Sequence, residues 1–570
     1  MPAMVAPGCV VLSAAVGVGP DLLSSFPPGA TPRPQQARLL AELADAIAEA
    51  EDDPRAPRVF LVEAPPGVGK SHVAMTLARW SGDAYLLTSQ RLLQDQYERD
   101  FGDELALVKG RDNYWCERYP GSHVPTSQGA CRRPRGPVCH CPYVRARDAA
   151  LTAPIFCTNT VYFATLRHWQ PEQLRRRRAL IVDEAHNLES QLVGVFTVRF
   201  PAEQMKAWFG APLPRFDSAD EYRPLLEQHL VRMEGALEEI GRRLDALRPA
   251  GSDPDDLLLV PPGADERALL TEREGLETAL ARIRFFVEAT DTEWIVRHRA
   301  EPEPALELLP LSVTQPAHDL LDECAEFTVL SSAFLGPATA AVEAFGIDEA
   351  RVRVFRSDSP FAVERRPIVY RPVGRLSRAT LPTLEPDLFA EVAAILAAHP
   401  REKGLVHAAS YAAARRLLRA LNERAPLEAR RLILVDSAAG KPQALEQHRR
   451  SSLPTVLLSP SLREGVDLPD DFLRFQIVTK LPYPDLGDPW TAARRARDAR
   501  WYALETAKAL VQAYGRSCRH ADDHGVTYVL DAQFAGFLAH YRPLLPDWFR
   551  DAAEPALRRR QEATTPEAFD

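Results

Sequence analysis

The sequence contains no apolar run long enough to span a bilayer. Its one compact apolar stretch near the start, residues 9–19, has no Lys or Arg before it, which argues against a secretory leader. A basic excess is missing as well: 69 Lys and Arg stand against 78 Asp and Glu, a net charge of −9. Overall charge therefore points to no polyanionic partner, and only a local patch can do so. Cysteine is scarce, with eight in 570 residues, and four of these fall between 116 and 141. That is the clustering of metal ligation in a reducing compartment, not of a dispersed disulfide framework. These absences lead us to expect a cytoplasmic protein with no membrane partner. What is present suits a globular chain of several domains, with 46% hydrophobic and 26% charged residues.

The chain is organised around Val59 to Thr76. Val59–Val62 is a short apolar run of the kind that forms a fully buried strand. Ala64-Pro65-Pro66-Gly67-Val68-Gly69-Lys70-Ser71 then has the composition of a phosphate-binding loop, and Val73–Trp80 has helical spacing. Gly67 and Gly69 let backbone N–H groups turn inward around phosphate oxygens. The helix N-terminus adds partial positive charge. Lys70 is placed to reach the β- and γ-phosphates of ATP, and Ser71 to ligate Mg²⁺. Ala64 stands where the loop's first glycine usually is.

Upstream, Arg33 and Gln36 open a helical run and can either read an adenine edge or simply begin a solvated helix. Downstream, Tyr85-Leu86-Leu87 predicts a strand that ends at Thr88 and Ser89, the carboxyl edge where ligands of a parallel sheet bind. Ile155–Cys157 predicts a third strand. Ala179–Val182 predicts a fourth, ending in Asp183-Glu184-Ala185-His186. Asp183 is the expected Mg²⁺ ligand, and Glu184 the group that orients and polarises the attacking water. A further strand, Phe327–Leu330, ends in Ser331-Ser332-Ala333. Strand candidates Leu405–His407, Leu432–Val435, Thr455–Leu458, Phe475–Val478 and Tyr528–Leu530 make a second α/β layer without a phosphate loop. Gln512, Arg516 and Arg519 lie near its end, spaced to reach a γ-phosphate from a facing domain. The Arg175–Arg178 run reads as a solvated turn.

Two stretches interrupt the first layer. Residues 109–147 carry eight Lys or Arg against two acids, with Tyr114, Trp115, Tyr119 and Tyr143 interleaved. Cations with stacking aromatics suit single-stranded nucleic acid. Lys109, Arg111, Tyr114, Trp115, Arg132, Arg133 and Tyr143, with Thr88, are the expected contacts. Cys116, Cys131, Cys139 and Cys141 lie in the same stretch, and from spacing alone zinc and an iron–sulfur cluster compete for them. Cys157 is a reserve ligand. Residues 200–305 carry a heptad-type seam, Leu226, Leu230, Met233, Leu237, Ile240, Leu244 and Leu247, resumed by Leu276, Leu280, Ile283 and Val287. It predicts a projecting helical hairpin or two helices packed on the core.

The ordered set EAPPGVGKS, TSQRLLQDQY, VKGRDNYWC, CPYVRARDA, IVDEAH, KGLVHAASY, LLSPSLREGVDLP, KLPYPDLGDP and QAYGRSCRHADDHG resembles the Rad3-related helicases, the XPD/DinG-like group of helicase superfamily two. The resemblance implies an α/β fold with two RecA-like P-loop motor domains in tandem. The first would be interrupted by an iron–sulfur insert and a helical arch. The implied division is an N-terminal extension 1–30, motor domain 1 in three parts (31–108, 148–199, 306–365), the iron–sulfur insert 109–147, the arch 200–305 and motor domain 2 at 366–570. The resemblance also implies that Arg33 and Gln36 sit near the adenine and that Arg516 and Arg519 are arginine fingers. Gln512 would stand near the γ-phosphate, with Gly465 and Asp467 coupling nucleotide to DNA. It favours a 4Fe–4S cluster over zinc on the four cysteines. The implied activity is a 5′-to-3′ ATP-dependent DNA helicase acting on single-stranded and forked DNA. An RNA helicase or remodeller of RNA–DNA hybrids, or an accessory ATPase, remains open. Fewer than 35 residues precede Arg33, so no N-terminal nuclease domain is expected in this sequence. Phe334 departs from the family's Ser-Ala-Thr triplet at Ser332-Ala333.

Overall fold

The computed structural model describes residues 21–119, 121–132, 140–247, 261–300, 303–437, 439–462, 468, 470–516 and 523–564, with side chains to residue 558. The strands, in chain order, begin with β1 (Val59–Glu63), β2 (Ala84–Thr88), β3 (Ala106–Leu107), β4 (Ile155–Asn159) and β5 (Arg177–Asp183). Next come β6 (Val198–Pro201), β7 (Trp294–Arg299), β8 (Ala305–Pro310), β9 (Ala325–Ser332) and β10 (Val352–Arg356). The last are β11 (Ile368–Gly374), β12 (Gly404–His407), β13 (Leu432–Leu434), β14 (Val456–Ser459), β15 (Phe475–Val478) and β16 (Val526–Asp531).

Seven strands form a wholly parallel sheet in the order β10-β1-β9-β5-β2-β4-β3. Six form a second parallel sheet, β11-β16-β15-β12-β14-β13. Helices cover both faces of the first sheet, so its strands read as continuous apolar runs: all five residues of β1 and of β2 are buried. The strands expected from such runs all form. β10, with two Arg in five residues, and β11, with an Arg and a Pro, are partly exposed and carried no comparable signal.

The heptad seam forms two long helices, Ala219–Ala246 and Ala264–Glu288, packed through Leu226, Met233, Ile240, Leu276, Leu280 and Ile283. The hairpin does not stand alone. β6, β8 and β7 make a three-stranded antiparallel sheet beside it, with β6 before the two helices and β7 and β8 after them. The expected range 200–305 contains β7 and ends within β6 and β8, whose short, charge-bearing sequences gave no strand signal.

The solvated-turn reading of Arg175–Arg178 is corrected. The Arg177 side chain is fully buried at the start of β5. Its guanidinium stacks 4.6 Å over the Tyr85 ring and donates to the carbonyls of Ala84, Ala150, Leu151, Ala153 and Pro154. The five carbonyls, with Asp83 Oδ1 at 3.2 Å, satisfy its two terminal nitrogens and offset the cost of burying the charge. No described helix is long and apolar enough to cross a membrane.

Candidate active site

β1 and β5 both end at the carboxyl edge of the first sheet, and the second sheet faces that edge. Between them lies a cleft of about 680 Å³. It is lined by Arg33, Gln36, Pro66, Gly67, Gly69, Lys70, Ser71, Asp183, Glu184 and His186 from the first layer, and by Gln512 and Arg516 from the second. Residues separated by several hundred positions in sequence thus share one site. Asp467 and Arg519, also expected here, and Gly465 lie outside the described residues.

The phosphate loop is held from upstream. Gln36 Nε2 donates to the Gly69 carbonyl at 3.1 Å, Gln36 Oε1 accepts the Arg33 backbone N–H at 2.8 Å, and the Arg33 guanidinium donates to the Gly67 carbonyl. Gly69 adopts φ +90°, and a Cβ there would stand 2.4 Å from Gln36 Nε2, so the position requires glycine. Ala64, by contrast, is fully buried at the end of β1, and its N–H donates to the Ser332 carbonyl at 2.9 Å. Pro65 and Val68 support the loop from outside the cleft, Val68 being fully buried and Pro65 lining a shallow hollow with Tyr514 and Trp548.

Lys70 Nζ lies 3.9 Å from Glu184 Oε1. Glu184 takes a left-handed backbone, φ +53°, unusual for a residue with a side chain and the kind of strain kept at functional sites. Burial opposes its ionisation, but Lys70, His186 and Arg516 outweigh it and hold the carboxyl below its usual value. Asp183 moves the other way, pushed up to about 6 by burial and then by Glu184 beside it. An all-oxygen set of Ser71 hydroxyl and Asp183 carboxylate, with local negative charge in need of relief, suits Mg²⁺.

Sequence reasoning missed several participants. Tyr97 donates its hydroxyl to Asp183 Oδ2 at 2.9 Å from a fully buried position in the helix Arg91–Phe101. It closes the TSQRLLQDQY motif, the only sequence signal it carried. Phe26 stacks on His72 with centroids 5.8 Å apart, and both line the cleft, as does Arg449 from the second layer. His186 Nδ1 lies 2.8 Å from Ser332 Oγ and 3.3 Å from Gln512 Nε2, joining β9 to the second layer. Glu63, at the end of β1, accepts the N–H groups of Leu335 and Gly336, both at 2.9 Å. That clamp presents Phe334, which is 3% exposed, to Ile368, Leu504 and Val511 of the second layer.

Residues 392–552 match the family model Helicase_C_2, a helicase C-terminal domain. The ATP-dependent helicase DinG of Mycobacterium tuberculosis (strain ATCC 25618 / H37Rv) is 28% identical over 458 residues, 71% of this chain and 65% of that protein. The alignment thus spans just under two thirds of that relative's length. Human regulator of telomere elongation helicase 1 is 33% identical over 103 residues, 15% of this chain and 8% of that protein. In three dimensions an XPD helicase superposes with a TM-score of 0.60 at 14% identity, covering 93% of this chain and 99% of that one. S. tokodaii Xpd4 gives 0.53 at 14% identity, over 90% and 98%. The chain is similar to the Rad3-related, XPD/DinG-like helicases. Its two parallel sheets fit two RecA-like domains.

The cysteine stretch leaves the first sheet after β3 and returns through the helix Pro142–Thr152. The sulfurs of Cys116 and Cys131 each lie 3.6 Å from the point a Cβ on Gly129 would occupy. Two thiols converging on a bare glycine suit a thiolate-bound group. Cys141 is buried at the N-cap of the returning helix, and Cys139 lies outside the described residues. Among the described residues no three His, Cys, Asp or Glu form a metal-binding group. Cys157, the reserve ligand, is fully buried in β4, where burial pushes its thiol far up.

The expected nucleic-acid contacts divide. Trp115 is 56% exposed and free to stack on a base. Tyr143 is not: it is 6% exposed, its hydroxyl 2.9 Å from that of Tyr162, with Arg111 stacked 4.2 Å over its ring. The first turn of the returning helix faces the sheet, which turns the ring inward. Tyr114 packs against it and accepts the Lys109 N–H at 3.0 Å. Lys109 Nζ is taken up by Asp95 at 2.6 Å and Glu98 at 2.8 Å. Thr88 is fully buried, with its hydroxyl on the Gln90 carbonyl. Arg132 faces Glu277 of the hairpin at 3.6 Å, and Arg133 lies outside the described residues. A stacking surface of several aromatics therefore reduces, in the described residues, to Trp115.

Proposed function

We propose that this chain is an ATP-dependent DNA helicase that moves along single-stranded DNA, 5′ to 3′, and opens forked duplex or RNA–DNA hybrid. The reading rests on one observation: phosphate loop, carboxylate pair, Gln512 and Arg516 line a single cleft between two sheets. ATP would lie on the loop, with its phosphates toward Lys70. Glu184, kept ionised, orients a water and accepts its proton as the water oxygen bonds to the γ-phosphorus. The bond from that phosphorus to the β–γ bridging oxygen breaks, and ADP leaves. Arg516 stabilises charge on the transferring group. Mg²⁺, held by Ser71 and Asp183, would neutralise phosphate charge when bound. A cluster on Cys116, Cys131, Cys139 and Cys141 would hold the insert in shape. Phe334, clamped by Glu63 and packed on the second layer, supports an apolar link between domains where the family uses a hydroxyl.

The test is unwinding of a 5′-tailed against a 3′-tailed duplex, with DNA, RNA and hybrid strands, by parent and Glu184→Gln. Opening of the 5′-tailed DNA by the parent alone is expected. Opening only of RNA duplexes would favour the RNA helicase reading.

A further inference from the structure

Glu189 sits one turn beyond the Asp183–His186 motif, on the helix Leu188–Phe196 of the first layer, and is 9% exposed. A carboxylate removed from water is costly unless both oxygens are satisfied. Here both partners come from the second layer. Oε1 accepts Arg494 Nη2 at 2.7 Å, and Oε2 accepts Trp501 Nε1 at 3.1 Å. Arg494 also stacks 5.3 Å over the Trp501 ring. The surrounding elbow is braced by Trp490 Nε1 on the Pro310 carbonyl at 2.9 Å and by Arg297 on Asp488 at 2.9 Å.

Trp501 lies in the first turn of the helix Ala499–Tyr514, and Gln512, in its last turn, meets His186. Arg516 follows two residues beyond that helix and lines the cleft. One short segment of the first layer, 186–189, therefore grips both ends of the helix that carries the arginine. A rigid helix held at both ends sets its terminus to a narrow range of positions.

We infer that Glu189 is a positioning residue for hydrolysis: through Arg494 and Trp501 it fixes the helix that places Arg516 at the nucleotide. This rests on the proposed ATPase reading and deepens it. The chemistry requires placement, since a displacement of about 1 Å can cost on the order of 10² in rate.

The experiment is steady-state ATP hydrolysis by the full chain, comparing Glu189→Gln, Trp501→Phe and the reversed pair Glu189→Arg/Arg494→Glu. Glu189→Gln should lower kcat on the order of 10²-fold. KM for ATP should stay within about twofold, because the loop that binds nucleotide is untouched. Trp501→Phe, which keeps an aromatic ring but loses the indole N–H and part of the stacking area, should fall in between, and the reversed pair should recover part of the loss. A purely structural role would move KM and thermal stability together and give no recovery by reversal. Parent-level kcat in both Glu189→Gln and Trp501→Phe would overturn the inference alone. No ATP turnover in the parent would overturn the function reading and the inference with it.

Discussion

Gly515 lies so close to Pro66 that a Cβ at Gly515 would stand 2.5 Å from Pro66 Cγ. The Pro66 ring of the phosphate loop thus packs directly against the arginine-bearing turn of the other layer, with no room for a side chain on Gly515. Gly515→Ala should push the turn away from the loop. We expect hydrolysis to fall on the order of 10²-fold with ATP binding retained, measured as turnover beside fluorescent-nucleotide titration. Unchanged turnover would mean that this approach is not needed for catalysis.

Phe334 offers a separate handle on the same interface. Phe334→Ala should cost about 3–5 kcal/mol, the usual range for a buried Phe. Phe334→Thr, which restores the family's residue, should also destabilise, since it leaves a void and a hydroxyl among Ile368, Leu504 and Val511. Calorimetric melting of both variants checks this. A Thr variant as stable as the parent would argue against an apolar link.

The cysteine insert docks on the hairpin: Gln128 donates to Thr271 at 3.0 Å, and Arg273 to the Arg132 carbonyl at 3.0 Å. Purified protein should contain iron and sulfide, with visible absorbance bleached by dithionite. Cys131→Ser should lose the iron and the docking, leaving ATP hydrolysis intact and abolishing unwinding. Zinc without iron in the parent would overturn the cluster assignment while leaving the structural role.

His448 supplies a pH dependence. Its Nε2 lies 2.9 Å from the Phe472 carbonyl and its Nδ1 2.9 Å from the Thr455 hydroxyl, and burial pushes it down to about 4. The folded state holds the ring neutral while the unfolded chain takes up a proton below about 6.5. The stabilisation is therefore present above that value and lost as pH falls toward 4. At pH 5 the loss is about 2 kcal/mol. His448→Gln keeps a donor toward Phe472 and does not titrate, so the gap between parent and variant in urea unfolding should narrow between pH 7 and pH 5. A constant gap would show that His448 does not titrate differently on folding.

The sequence by itself determined the elements whose signal is local. Val59–Val62 and Ala179–Val182 are strands because a short apolar run covered on both faces has few other stable forms. Gly67, Gly69, Lys70 and Ser71 declare a phosphate loop because its geometry is made within eight residues. The heptad seam was legible for the same reason. Tertiary structure decided everything that depends on which surface is covered. Nothing in a loop with four aromatics says that Tyr143 turns inward and Trp115 outward. Nothing in a run of four arginines says that Arg177 is buried under Tyr85 and enclosed by carbonyls. Glu189 meets Trp501 across 312 positions of sequence, and the burial of its carboxylate follows from that meeting. Local propensity acts over a few residues; burial, pairing of charge and assembly of the cleft act between segments that only the fold brings together.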